Sequence, residues 1–302
     1  MSRLPVKKTY KLYLGGAFPR SESGRTYEAL DAKGRFIANM AKASRKDARD
    51  AVRAARSAFP GWSTRTPYNR GQVIYRIAEV MEGRRGQLIG QLREATGITA
   101  KVAEKRVDVT IDRVVWYAGW ADKYVQVLGN ANPVSGPFFN LSTPEPTGVV
   151  AIVAPAGGGA GPRAANEHSA LLGLVSTVLP AITTGNTVVV VASEQHPIPA
   201  VTLAEIMATS DLPAGVVNVL TGSPAEIAPW LATHLDVDAL DLTGVEDADL
   251  ARSLESDAAE DLKRVRRPDS ADGNGEDWPA EPTLDRLEAW TEIKTVWHPI
   301  GV

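Results

Sequence analysis

The chain of 302 residues contains no cysteine, which excludes disulfides, thiolate metal sites and thiol nucleophiles. Hydrophobic residues make up 44% of it and charged residues 23%, the balance of a folded domain with a sizeable core. With 33 Lys and Arg against 36 Asp and Glu, the net charge is −3, which excludes the basic excess of a nucleic-acid binder.

In chain order, Met1 to Lys8 lack the apolar core of a signal peptide. Tyr10-Lys11-Leu12-Tyr13-Leu14 alternates before Gly15-Gly16 and predicts a strand and a turn, within an extended region over residues 10–42. Ser44 with Asp47 three residues on predicts a capped helix start, followed by Ala48, Val52, Ala55 and Phe59 at helical spacing. Pro60-Gly61 is expected to end that helix. A second helix carries Ile74, Ile77, Ala78 and Met81 on one face. A third carries Val107, Ile111, Val114, Val115 and Ala118.

From Gly148 the pattern changes. Runs over 148–153, 187–191, 216–220 and 237–242 read as strands. Helical segments near 169–184, 197–209, 224–234 and 246–261 separate them. The first two runs lack polar alternation and are expected to be buried on both faces. Strand–helix alternation of this kind gives an α/β fold with a doubly wound parallel sheet, Rossmann-like, with ligands expected at the C-terminal strand ends. The most apolar stretch, Ala170 to Ile182, contains Ser176, Thr177 and Pro180 and is too short to span a bilayer, so a buried helix is expected. Without a leader or a span, a cytoplasmic location is expected. Residues 269–284 are acidic and read as a solvated linker. Residues 285–302 turn apolar again and read as a docking tail.

Several phrases line up with one family. Pro146 to Pro155 resembles the first Rossmann strand of aldehyde dehydrogenases, and Pro180 to Val189 their "PALAAGNTVV". Leu212 to Gly222 resembles "LPxGVVNVxxG", and His234 to Gly244 "HxxVDxxxFTG". Leu12 to Gly16, Asp50 to Arg56 and the ending Thr291 to Val296 fit as well. The resemblance implies a nucleotide-binding domain over residues 45–268, preceded by N-terminal strands over 1–44. It also implies an oligomerisation arm built from those strands, residues near 131–146 and the tail. The family's catalytic domain has no counterpart between Pro268 and the tail.

The family reaction needs a Cys thiolate, a base in an "ELGGK" phrase and an oxyanion-stabilising Asn in a "WNFP" phrase. None occurs. The last place holds Ala156 to Pro162, in which Gly157 to Gly161 reads as a flexible loop without the Lys of a phosphate loop. His168, His196, His234 and His298 sit in no triad or metal-binding context, so catalytic and metal residues are none. For NAD, the resemblance keeps Glu194 but puts Val191 where the family has Lys. Pro224 and Ala228 replace glycines of the adenine loop. Glu246, Asp247 and Asp249 stand where pyrophosphate would meet a helix start. NAD binding is therefore expected to be weak or absent, with Glu194, Thr243 and Gly244 as residual cofactor contacts. The leading expectation is a non-catalytic subunit paired with a complete aldehyde dehydrogenase, anchored by Trp290, Val296, Trp297 and Ile300. An NAD-dependent aldehyde dehydrogenase completed by another chain, or a nucleotide-binding module without chemistry, stands beside it. Neither nucleic acid nor a membrane is an expected partner.

Overall fold

The computed structural model describes residues 6–155, 169–267 and 276–301. Three short strands come first: β1 (Thr9–Tyr10), β2 (Thr26–Leu30) and β3 (Phe36–Ala41), in the order β1-β3-β2. The expected strand over residues 10–14 is shorter than its alternation suggests. Beyond Tyr10 the chain leaves this sheet, and Tyr13 exchanges two backbone hydrogen bonds with Val219 (3.0 and 2.7 Å) at the edge of the main sheet. Gly15 and Gly16 then turn at φ of 57° and 82°, conformations that favour glycine.

Helix α1 (Arg45–Ser63) begins in a capping box: Asp47 N–H donates to Ser44 Oγ and Ser44 N–H to Asp47 Oδ2. Pro60-Gly61 does not end it. Pro60 stays inside the helix because the next turn is anchored: Trp62 is buried and its Nε1–H donates to the Ile182 carbonyl at 3.0 Å. Truncating such a Trp costs ~3–5 kcal/mol, comparable to the ~3 kcal/mol penalty of an internal proline. Helices α2 (Pro67–Gly83), α3 (Arg85–Thr96) and α4 (Ala100–Trp120) follow, with a short α5 (Tyr124–Leu128). Helix α3 was not expected. Its buried Leu88, Leu92 and Ala95 keep helical spacing, but Gly86 and Gly90 weaken the local signal.

Next come β4 (Asn130–Asn132) and β5 (Phe138–Pro146), then the main sheet. Its strands are β6 (Val149–Val153), β7 (Thr187–Val191), β8 (Val217–Leu220), β9 (Ala239–Asp241) and β10 (Arg264–Arg266). They are all parallel, in the order β10-β9-β6-β7-β8. The sequence pattern anticipated the first four and missed the edge strand β10. Alternation along the buried strands sorts the core. Val150, Ile152, Val188 and Val190 face α2, α4, α7 (Ile198–Met207) and α6 (Leu174–Thr183), the last entered through a π-helical turn at Ser169–Gly173. Val149, Ala151, Val153, Val189 and Val191 face α1, α8 (Pro224–Ala232) and α9 (Ala248–Ala259). Burying a strand on both faces explains its unbroken Val runs.

The end of the chain folds back on its own domain. Trp278 and Leu287 are buried, the latter in α10 (Asp285–Glu288). Strand β11 (Thr291–Pro299) then pairs antiparallel with β5 from Thr291↔Pro146 to Pro299↔Phe138, making an arm sheet β11-β5-β4. Trp290, expected as an interface anchor, is 0% exposed within its own chain. Its carbonyl accepts from Asn186 Nδ2 at 2.9 Å, and its ring packs in the core beside α6. Val296, Trp297 and Ile300 remain exposed. Among the described residues no helix is long and apolar enough to cross a membrane.

Candidate functional site: the C-terminal rim of the parallel sheet

In a doubly wound sheet, ligands meet the loops that leave the strand ends. Here those are Ala154-Pro155 after β6, Ala192 to Glu194 after β7, and Leu242 to Gly244 after β9. The loops after β6 and β9 touch. Gly244 N–H donates to the Val153 carbonyl at 3.0 Å, and a Cβ on Gly244 would lie 2.2 Å from the Ala154 carbonyl oxygen. Only glycine permits that approach.

Thr243 and Gly244 therefore flank β6 on one side and Glu194 on the other. They sit on strands two positions apart, roughly 10 Å by the spacing of strands. Glu194 is exposed to solvent. Thr243 is turned inward: its backbone N–H donates to Asp241 Oδ1 at 2.9 Å and its hydroxyl donates to the same oxygen. The expected cofactor residues thus share a rim, but only Glu194 presents a fully exposed polar side chain there.

Asp241 was not singled out in the sequence. It ends β9 fully buried, and a buried carboxylate must be paired. Its Oδ2 lies 3.2 Å from Arg286 Nη1, and Arg286 Nη2 reaches Glu276 at 2.6 Å. The Arg286 guanidinium sits 5.1 Å from the Trp278 ring centroid. Burial alone would lower the Arg286 pKa, but Asp241 and Glu276 outweigh it and hold the pKa above its ordinary value. Nearby, Arg113 donates to Ser176 Oγ (2.9 Å) and to the carbonyls of Trp278 (2.9 Å) and Ala280 (2.6 Å). Burial pushes the Tyr117 hydroxyl up to about 12, against the opposing charges of Arg286 and Arg113. The signal that could have found this network was an Asp inside an otherwise apolar strand run.

Where the resemblance places a pyrophosphate, the residues do not fit one. The start of α9 is capped from within, with Asp247 Oδ1 accepting from the N–H groups of Asp249 (2.8 Å) and Leu250 (3.2 Å). Glu246 and Asp249 add exposed negative charge. Free N–H groups and a positive dipole end attract anions; here two of those N–H groups are used and the field is offset. Between the sheet, α8 and α9 the side chains of Ala228, Leu231 and Leu254 pack onto Ala151, Val153, Leu240 and Leu242 and leave only an apolar core void of about 10 Å³. Val191, in place of the family's Lys, is buried inside β7.

His234 Nδ1 accepts from Asp236 N–H at 3.1 Å, and His298 is exposed on β11. Among the described residues, no three His, Asp or Glu side chains cluster as a metal site would require. The Gly157 to Gly161 loop, His168 and the place of the family's oxyanion Asn lie outside the described residues. A hollow of about 1060 Å³ lies away from the rim, between α2 and α4.

Parallel strand order, helices on both faces and an antiparallel arm define the class: an α/β protein with a dinucleotide-binding type of domain. The sequence model of the aldehyde dehydrogenase family matches residues 19–267. Cytosolic aldehyde dehydrogenase 1 of Elephantulus edwardii is 31% identical over 272 residues, covering 88% of this chain and 51% of that protein. Aldehyde dehydrogenase family 2 member B4, mitochondrial, of Arabidopsis thaliana is 32% identical over 244 residues, covering 78% and 42%. The NAD+ complex structure of aldehyde dehydrogenase from Bacillus cereus superposes with a TM-score of 0.77 at 26% identity, covering 86% of this chain and 51% of that one. This chain belongs to the aldehyde dehydrogenase family. It spans about half the length of these relatives.

Proposed function

We propose that this chain is a non-catalytic subunit of the aldehyde dehydrogenase family, working in the cytoplasm as the structural or regulatory partner of a complete, NAD-dependent aldehyde dehydrogenase. The observation that carries the reading is a sequence without a single cysteine joined to an intact arm sheet. The family chemistry starts at a thiolate, and losing a nucleophile removes several orders of magnitude of rate. The arm, by contrast, retains what association needs. Strand β11 is an edge strand whose residues are exposed after Thr291, and such an edge can extend a neighbour's sheet through main-chain hydrogen bonds. The register puts Val296 opposite Leu141 on one face, with Phe139 beside them. Trp297 lies on the other face and meets Phe138 edge-on at 5.8 Å between centroids. Aromatic residues dominate interface energetics.

The self-capped α9 start, with Glu246 and Asp249 exposed beside it, supports weak or absent NAD binding by the chain itself. One observation favours a nucleotide-binding module instead: Glu194 stays exposed at the end of β7. A tagged chain purified from its native cell separates the two readings. Stoichiometric recovery of a Cys-containing aldehyde dehydrogenase, lost with Val296→Asp/Trp297→Asp, supports the subunit. Recovery of the chain alone with micromolar NAD binding supports the module.

A further inference from the structure

Helix α1 opens with charges of the wrong sign for its position. Acidic groups stabilise a helix start, and basic groups oppose its dipole. Yet Arg45, Lys46 and Arg49 occupy the opening turns of α1, while Asp47 is turned inward onto Ser21 and Ser44. These cations border a hollow of about 520 Å³ whose other wall is Trp230 and His234 at the end of α8. That volume is within the range of small-ligand sites.

Arg45 gives the hollow its chemistry. Its guanidinium lies 4.1 Å from the centroid of Trp230, which remains 42% exposed. A guanidinium placed over an aromatic ring rather than in an ion pair retains N–H donors for an oxyanion. The neighbouring charges are engaged: Lys46 with Glu22 at 3.6 Å and Arg49 with Asp50 at 2.9 Å. Glu22 also accepts from Ser44 Oγ at 3.0 Å, so its carboxylate is tied to the rim by two donors. Arg45 makes no ion pair among the described residues. Because His234 Nδ1 accepts from Asp236 N–H, the ring's donor is Nε2.

We propose that this hollow binds a small phosphorylated ligand bearing a flat ring, such as a nucleoside monophosphate, with the phosphate on Arg45 and the ring against Trp230. An Arg fork matches phosphate oxygens bidentately, and Lys46 and Arg49 add to the local field. The ring extends the indole's stacking surface. Neither Glu194 nor Thr243 borders the hollow, so the site is separate from the strand rim.

Calorimetric titration with AMP and with inorganic phosphate, at low salt, tests this. AMP is expected to bind more tightly than phosphate. Arg45→Gln should weaken both about tenfold. Arg45→Lys, which keeps the charge but not the fork, should fall between. Trp230→Ala should weaken AMP more than phosphate, and Glu194→Ala should change neither. Unchanged thermal melting of the variants confirms that folding is not the cause, since both side chains are at the surface. Absence of saturable AMP binding up to about 10 mM, equal affinity for AMP and phosphate, indifference to Arg45→Gln, or loss on Glu194→Ala would each overturn the proposal.

Discussion

The strand rim and the arm sheet carry opposite kinds of surface. At the rim, several polar groups are satisfied from within the chain: Asp241 by Arg286 and Thr243, and two α9 N–H groups by Asp247. On the arm, Val296 and Trp297 of the edge strand β11 and Phe139 and Leu141 of its neighbour β5 lie exposed. The rim turns Thr243 and Asp241 inward, whereas the arm turns apolar side chains outward. Satisfied polar groups have little to gain from a ligand, whereas exposed apolar area gains on burial, at ~25 cal/mol per Å². A fold and the binding chemistry carried on it are separate properties, set by different residues.

Substitutions in each region test this contrast. The largest expected effect is on the arm. Val296→Asp/Trp297→Asp should abolish co-purification with an aldehyde dehydrogenase subunit while leaving urea unfolding within ~0.5 kcal/mol, since both positions are exposed. At the rim the expectation is inverted. Arg286→Ala leaves buried Asp241 without its cation and should cost ~3–5 kcal/mol in urea unfolding, while Glu276 keeps Arg266 at 3.9 Å. Asn186→Ala comes next. Its side chain accepts from Gly148 N–H (2.7 Å) and donates to the carbonyls of Trp290 (2.9 Å) and Ala181 (3.2 Å), tying the tail to the sheet. Leaving those buried groups unmet should cost ~1–3 kcal/mol. Asp247→Ala removes the α9 cap, worth ~1 kcal/mol, and should not create NAD affinity while Glu246 and Asp249 remain.

The smallest effect is in acid. Burial raises the Glu205 pKa, but hydrogen bonds from Lys8 (2.7 Å) and Arg84 (2.6 Å) outweigh it, leaving the carboxyl below its ordinary value. A carboxyl depressed in the folded state contributes stability above its unfolded pKa and loses it as pH falls through the folded one. Glu205→Gln should therefore narrow the stability gap between neutral and acid pH by a few tenths of a kcal/mol, the scale of exposed pairs.

Local signals carried much of this architecture. The Ser44–Asp47 capping box was legible because its partners are three residues apart, and the Val runs of β6 and β7 because burial on both faces leaves no polar alternation. What escaped reading depends on distant partners. Pro60 stays helical because Trp62 finds the Ile182 carbonyl, 120 positions away. Trp290 looked like a surface anchor because no local pattern reveals that Asn186 and α6 receive it. At the rim, Thr243 and Gly244 were placed correctly at a strand end. The inward turn of Thr243 needed Asp241, whose own partner, Arg286, is 45 residues away.

The most direct test of a rim closed from within is calorimetric titration of NAD into the purified chain. With Arg45→Gln in the titrated chain to silence the hollow beside α1, no saturable heat is expected into the millimolar range. Saturable micromolar binding that Glu194→Ala abolishes would contradict it, and would return the strand rim to its role as a cofactor site.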